Sequence, residues 1–139
     1  MSALTEYLEN KLIHHVFRNQ AFTTPGTSIY VGLIKFYEAD KLETGKTASK
    51  EVATGSYARK QHTDWRDAHA VGTSGVIDNN SAVTFPTATA DWGMVSGVFI
   101  ADALTGGNIL MHGALTTPRD IKSGDVFKFN QNDLDITFA

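Results

Sequence analysis

The chain has 139 residues, the size of one domain, and a domain of this length buries about 68% of its unfolded surface, so it needs no metal or disulfide to be stable. It carries no cysteine, a net charge of −3 and scattered Lys and Arg, which excludes disulfides and leaves no clustered basic footprint for nucleic acid. No apolar run approaches the roughly 20 residues that cross a bilayer, and the opening MSALTEYLENKLIHH lacks the basic-then-apolar order of a secretory signal.

The first element in chain order reads as a helix over residues 1–20. Ser2 is its expected N-cap. Leu4, Leu8, Leu12 and Val16 recur every four residues and form one row. Ile13 and Phe17 form a neighbouring row, and Tyr7 widens the apolar arc on the other side. That arc is wider than one flat contact needs. The helix therefore either fills a groove of its own domain or touches its domain and a second subunit at once. Pro25 and Gly26 end it.

From residue 28 the period changes. Ser28–Tyr37 is β-branched and aromatic on both faces, as in a strand covered on both sides. Ala39–Ser49 reads as a polar loop. Short strands are expected at Lys50–Ala53, Ser56–His62 and Ala82–Phe85, with a loop over His69–Ser81. Trp92–Ala101 reads as a long strand, with Gly93 and Gly97 marking a bulge or close approach. Leu104–Asn108 (LTGGN) is a hairpin signal, and Ile109–Leu115 returns from it. Turns are expected at Thr117-Pro118 and at Lys122–Asp125 (KSGD), with a strand at Val126–Asn130. In the last strand Leu134, Ile136 and Phe138 alternate with Asp135 and Thr137. About eight strands with turns every 8–12 residues predict an antiparallel, jelly-roll-like β-sandwich over residues 28–139, in a single domain with the leading helix.

Chemistry is sparse. His62, Asp64, Asp67 and His69 lie within eight residues but match no metal-binding spacing, so a polar surface segment anchored by Trp65 is expected instead. His14 and His15 are adjacent on a helix and point about 100° apart, so they cannot share one small ligand. Gly106-Gly107 lacks the Lys-Ser/Thr of a phosphate loop. Asp64, Asp67, Asp91 and Asp102 give no carboxylate pair that sequence alone brings together. No enzyme activity, catalytic residue, metal or cofactor is expected. Trp65 and Trp92 are either packing residues or a stacking platform for a sugar.

Several pieces are familiar as a set: LTEYLENKLIHHVFRNQAFTTP, Tyr30–Leu33 (YVGL), Gly55–Arg59 (GSYAR), Phe85–Gly93 (FPTATADWG), Gly106–Asn108 and Gly113–Pro118. Together they resemble a family of small tailed-phage virion structural proteins, often labelled tail-fibre-like. The chain is also similar to the capsid cement protein of a short-tailed Bordetella phage. It departs from the pattern at Asp40–Lys50 and Thr63–Val76, where it is more charged. The resemblance implies a cement or decoration protein on the exterior of the capsid, assembled in the bacterial cytoplasm. Its partners would be the major capsid protein and other copies of itself, in dimers, with no nucleic acid and no membrane. A tail-fibre or baseplate protein that binds a receptor glycan is the alternative. The expected contact residues are Leu4, Tyr7, Leu8, Leu12, Ile13, Val16 and Phe17 on the helix, with Phe36, Tyr37 and Tyr57 beyond it.

Overall fold

The β-branched run that opens the sandwich forms strand β2 (Tyr30–Lys35) of a five-stranded antiparallel sheet. A computed structural model describes residues 3–23, 25–26, 28–67 and 76–137 of the chain. In it, β2 pairs with β7 (Gly93–Ala101), and β7 pairs with β8 (Ile109–Ile121). The Asp102–Asn108 tip joins β7 to β8, with Gly106 and Gly107 at positive φ and the Asp102 carboxylate accepting from the Asn108 backbone at 2.7 Å. Two-residue strands cap the edges. β1 (Ala3–Leu4) lies on β8, and β3 (Lys60–Gln61) lies on β2.

One face of this sheet presents Val31, Leu33, Val95, Ile100 and Met111 to the main core. The other side of that core comes from smaller sheets: β4 (Trp65–Asp67), β5 (Val76–Asn79) and β10 (Asp135–Thr137) in one, and β6 (Val83–Thr84) with β9 (Lys128–Phe129) in the other. Phe85, Phe127 and Phe129 meet edge to face within it. The opposite face carries Ile34, Phe99, Ala101 and Ile109. It is covered by Leu42 from a short helix α2 (Ala39–Leu42), together with Tyr37 and Ala48. This double cover accounts for the apolar character of both faces of β2. Each such side chain gains about 1.5–3 kcal/mol when fully buried. Gly32 has to be glycine here, because a Cβ would stand 2.1 Å from the Phe99 ring.

The mainly β, antiparallel architecture with a leading helix is as expected, with several local differences. Helix α1 spans Glu6–Phe17 rather than starting near Ser2, which lies outside the described residues. Thr5 is its N-cap, accepting from the Leu8 N–H at 3.4 Å and donating to the Ile109 carbonyl at 2.6 Å. Pairing of β1 with β8 takes Leu4 out of the helix and into the sheet. The Ala39–Ser49 segment is not all loop, because burial of Leu42 folds the turn of α2.

The Thr117-Pro118 turn is absent. β8 runs on to Ile121, and its register with β7 slips between the Val95–Arg119 and Gly97–Ala114 pairs. The extra residues bulge out, which places Pro118 where no ladder bond is asked of it. The expected strands at Lys50–Ala53 and Ser56–His62 shrink to a bridge from Glu51 to Ile34 and to β3. Phe138 and residues 69–75 lie outside the described residues, and the described part of the expected His69–Ser81 loop is not all loop, because Val76–Asn79 forms β5 between β4 and β10.

Candidate docking surface

The Gly55–Arg59 segment brings a charged group into the fold. Arg59 is 7% exposed. Its Nε and Nη2 donate to both carboxylate oxygens of Glu51 at 2.8 and 2.9 Å. Nη1 donates to the carbonyls of Ala103 and Gly106 in the hairpin tip, at 2.8 and 2.9 Å. The guanidinium also lies over the Phe99 ring. Burial works against its charge, but the Glu51 hydrogen bond and charge outweigh burial and hold the Arg59 pKa above the ordinary arginine value. Tyr57 donates to Glu51 at 2.8 Å and accepts from the Leu33 N–H at 3.1 Å. Its ring stacks on Phe85 and meets Trp92 edge-on. Burial first, and then the Glu51 charge, push the Tyr57 hydroxyl pKa upward. These residues tie the hairpin tip, β2 and the aromatic core into one unit.

Residues 62–67 of the expected polar segment are tied down in the same way. His62 Nε2 is 3.0 Å from the Asp64 carbonyl, and Trp65 Nε1 donates to the His62 carbonyl. Asp64 accepts from Asn80, and Arg66 pairs with Asp78. His69 lies outside the described residues. Among the described residues no three His, Cys, Asp or Glu side chains gather as a metal site would require. Trp92 is fully buried and Trp65 half-buried. His112 is buried with Nδ1 2.7 Å from the Tyr37 hydroxyl. Its Nε2 lies 3.5 Å from the Glu43 carboxylate without making a hydrogen bond.

The ten expected contact residues divide between inside and outside. Leu8 is buried in the main core, and Leu4, Tyr7, Leu12 and Tyr57 pack against it. Tyr37 packs on the second core cluster. Four face outward: Ile13 at 52% exposure, Val16 at 67%, Phe17 at 81% and Phe36 at 61%. At 100° per residue, Leu8 and Leu12 lie within 40° of each other, whereas Ile13 and Phe17 lie roughly 140–180° from Leu8. The helix is thus apolar on two sides. One side is locked into the core and the other carries Ile13 and Phe17, while Val16, about 80° from Leu8, extends the core row into the exposed last turn before Arg18.

A family model described as podophage GP4 fiber I protein gp80 matches residues 3–137. The chain belongs to that family. It is therefore a phage structural protein, which agrees with the broad resemblance carried by its motifs. The family description speaks of a fibre, so the narrower likeness to a capsid cement protein rests on the motifs alone. No curated protein matches the chain.

In this gp80-family member, further outward features escape a reading of the sequence. Met94 is 42% exposed and flanks the Lys35–Val95 pair, as Phe36 does. Its place in an apolar strand gives no hint of exposure. Leu104 and Val126, also exposed, sit in or beside turns that the glycines do announce. A groove of about 160 Å³ opens between β8 and β10, lined by Ile100, Met111, Leu115, Leu134 and Ile136. Only the late alternation of Leu134 and Ile136 marks one of its walls in advance.

Proposed function

We propose that this gp80-family chain is a non-enzymatic virion subunit that docks onto its neighbours through the outward face of α1. One observation carries the reading: Ile13, Val16 and Phe17 are exposed together at the end of a helix that Leu8 and Leu12 fix to the core. Scattered exposed apolar residues are ordinary, but a contiguous cluster marks a contact. A second set, Phe36 and Met94, offers another contact. Two contacts per copy let a small subunit bridge two neighbours, and engagement at several points retains it far better than one contact does. A specific contact buries roughly 800 Å² per partner, so polar residues around these clusters take part as well.

The role we favour is cement between major capsid subunits on the outside of the head, a reading that rests on the motif resemblance. A shell under pressure gains most from added contact area where adjacent subunits part. The family description favours a second role, a subunit of the tail or fibre. A glycan platform built on tryptophan receives no support from Trp92, which is buried. Cryo-electron microscopy of the source particle, with copy number from mass analysis, separates the roles. Copies distributed over the head support cement, and a few copies confined to the tail overturn it in favour of the fibre. Absence from the particle overturns both.

A further inference from the structure

We infer that the neighbour taking the outward face of α1 is a second copy of this chain, with Phe17 of one copy seated in the β8–β10 groove of the other. This rests on the reading of that face as a docking surface and names its partner. Size is the first argument. The groove holds about 160 Å³ and its lining sets aliphatic side chains beside His112, Thr116 and two carboxylates, while a cavity of about 150 Å³ accommodates one benzene ring. The chain carries a ring free to enter it: Phe17, 81% exposed at the last turn of α1, with Val16 and Ile13 beside it to rest on the lip. None of these three residues lines the groove of its own copy.

Charge is the second argument. Asp133 and Asp135 stand on the groove and are exposed, and no lysine or arginine lines it. The residue after Phe17 is Arg18, also exposed. Seating the ring carries the guanidinium toward the two carboxylates, where it offers a planar fork that suits a carboxylate. The rival knob, Phe36 after Lys35, is less exposed, and the Lys35 chain lies back along Gly93 instead of reaching forward. Every copy has one knob and one groove. Reciprocal insertion closes a dimer, and one-way insertion builds a ring or a row.

The test is sedimentation equilibrium of the full chain, with variants at exposed positions whose folding is checked by circular dichroism. The wild type is expected to associate beyond a monomer at high micromolar concentration. Phe17→Ser weakens the association about ten- to a hundredfold, the worth of one buried phenylalanine. Phe36→Ser leaves it unchanged. Arg18→Glu and Asp135→Arg each weaken it, and the two together restore it, because the pair is re-formed with its signs exchanged. A wild type that is monomeric throughout overturns the inference. So does association that survives Phe17→Ser or is lost with Phe36→Ser, or a double charge reversal that does not recover. A monomeric chain still found on the virion rejects this contact and leaves the docking function standing.

Discussion

Arg59 joins Glu51 to the hairpin tip, and its removal leaves three acceptors without their donor. Arg59→Met keeps most of the side-chain volume over Phe99 but strips the Glu51 carboxylate and the carbonyls of Ala103 and Gly106 of charged hydrogen bonds. The side chains of the pair are 4% and 21% exposed, so water replaces little of what is lost. Breaking one partner of such a pair costs about 3–5 kcal/mol, against a whole-domain stability of about 5–15 kcal/mol. For a chain of this length the loss corresponds to a fall of roughly 10–20 °C in melting temperature. Thermal and urea unfolding followed by circular dichroism read it directly. Adding Glu51→Leu to Arg59→Met recovers little, since it removes the unpaired charge but also takes the acceptor of the Tyr57 hydroxyl, and the two carbonyls still lack a donor. A single variant that melts within about 3 °C of the wild type would falsify the idea that this pair holds the hairpin.

Three further outcomes follow from the same geometry. Gly32→Ala places a methyl group against the fully buried Phe99 ring and is expected to destabilise by about 1–3 kcal/mol, measured as a lower urea midpoint at unchanged slope. Tyr57 has a raised hydroxyl pKa in the fold, while the unfolded value is near 10. Its contribution is therefore complete below about pH 10 and is lost as pH rises toward the folded value. Tyr57→Phe lowers stability at neutral pH by about 1–3 kcal/mol and flattens the alkaline decline, and an unaltered slope of stability against pH above 10 refutes the assignment. Replacing Ile13, Val16 and Phe17 together by serine leaves the melting temperature close to wild type, because exposed sites shift stability by no more than about 0.5 kcal/mol each. The same triple variant is expected to be missing from assembled particles when their protein content is measured by mass spectrometry.

What could be read in advance follows the physics of each segment. β2, β7, the LTGGN tip, the KSGD turn and the alternation of Leu134 with Ile136 were legible, because period and turn chemistry are local properties. The tip needs two residues at positive φ, and glycine supplies them. The KSGD turn closes through the Asp125 carboxylate on the Lys122 N–H. The start of α1 was not legible. Leu4 keeps the helical spacing, and only its pairing with Met111, more than a hundred residues away, turns it into strand. Pro118 likewise read as a turn, since nothing nearby reveals that β8 absorbs it in a bulge. The role of Arg59 was not legible either, because its partners Glu51, Ala103 and Gly106 converge only in three dimensions.

The division between scaffold and docking surface follows from where the familiar motifs point. Tyr57, Arg59, Phe85 and Trp92 come from two of those motifs, and all four turn inward, onto one another or onto Glu51 and Phe99. Gly32, from a third, is spent on the approach of the Phe99 ring. Motifs of this kind identify a fold because a sandwich with a covered second face cannot be assembled without them. These inward residues say little about a partner, although the first of the motifs, LTEYLENKLIHHVFRNQAFTTP, also carries Ile13, Val16 and Phe17. The outward cluster has the opposite character. Ile13, Val16 and Phe17 contribute little to the core that Leu8 and Leu12 already serve, and a serine at each position would fold as well. A domain that keeps three large apolar side chains exposed at the end of a helix retains a feature its own stability does not require. Family membership therefore accounts for the scaffold, and on the reading proposed above the last two turns of α1 are where contact with the rest of the particle is made.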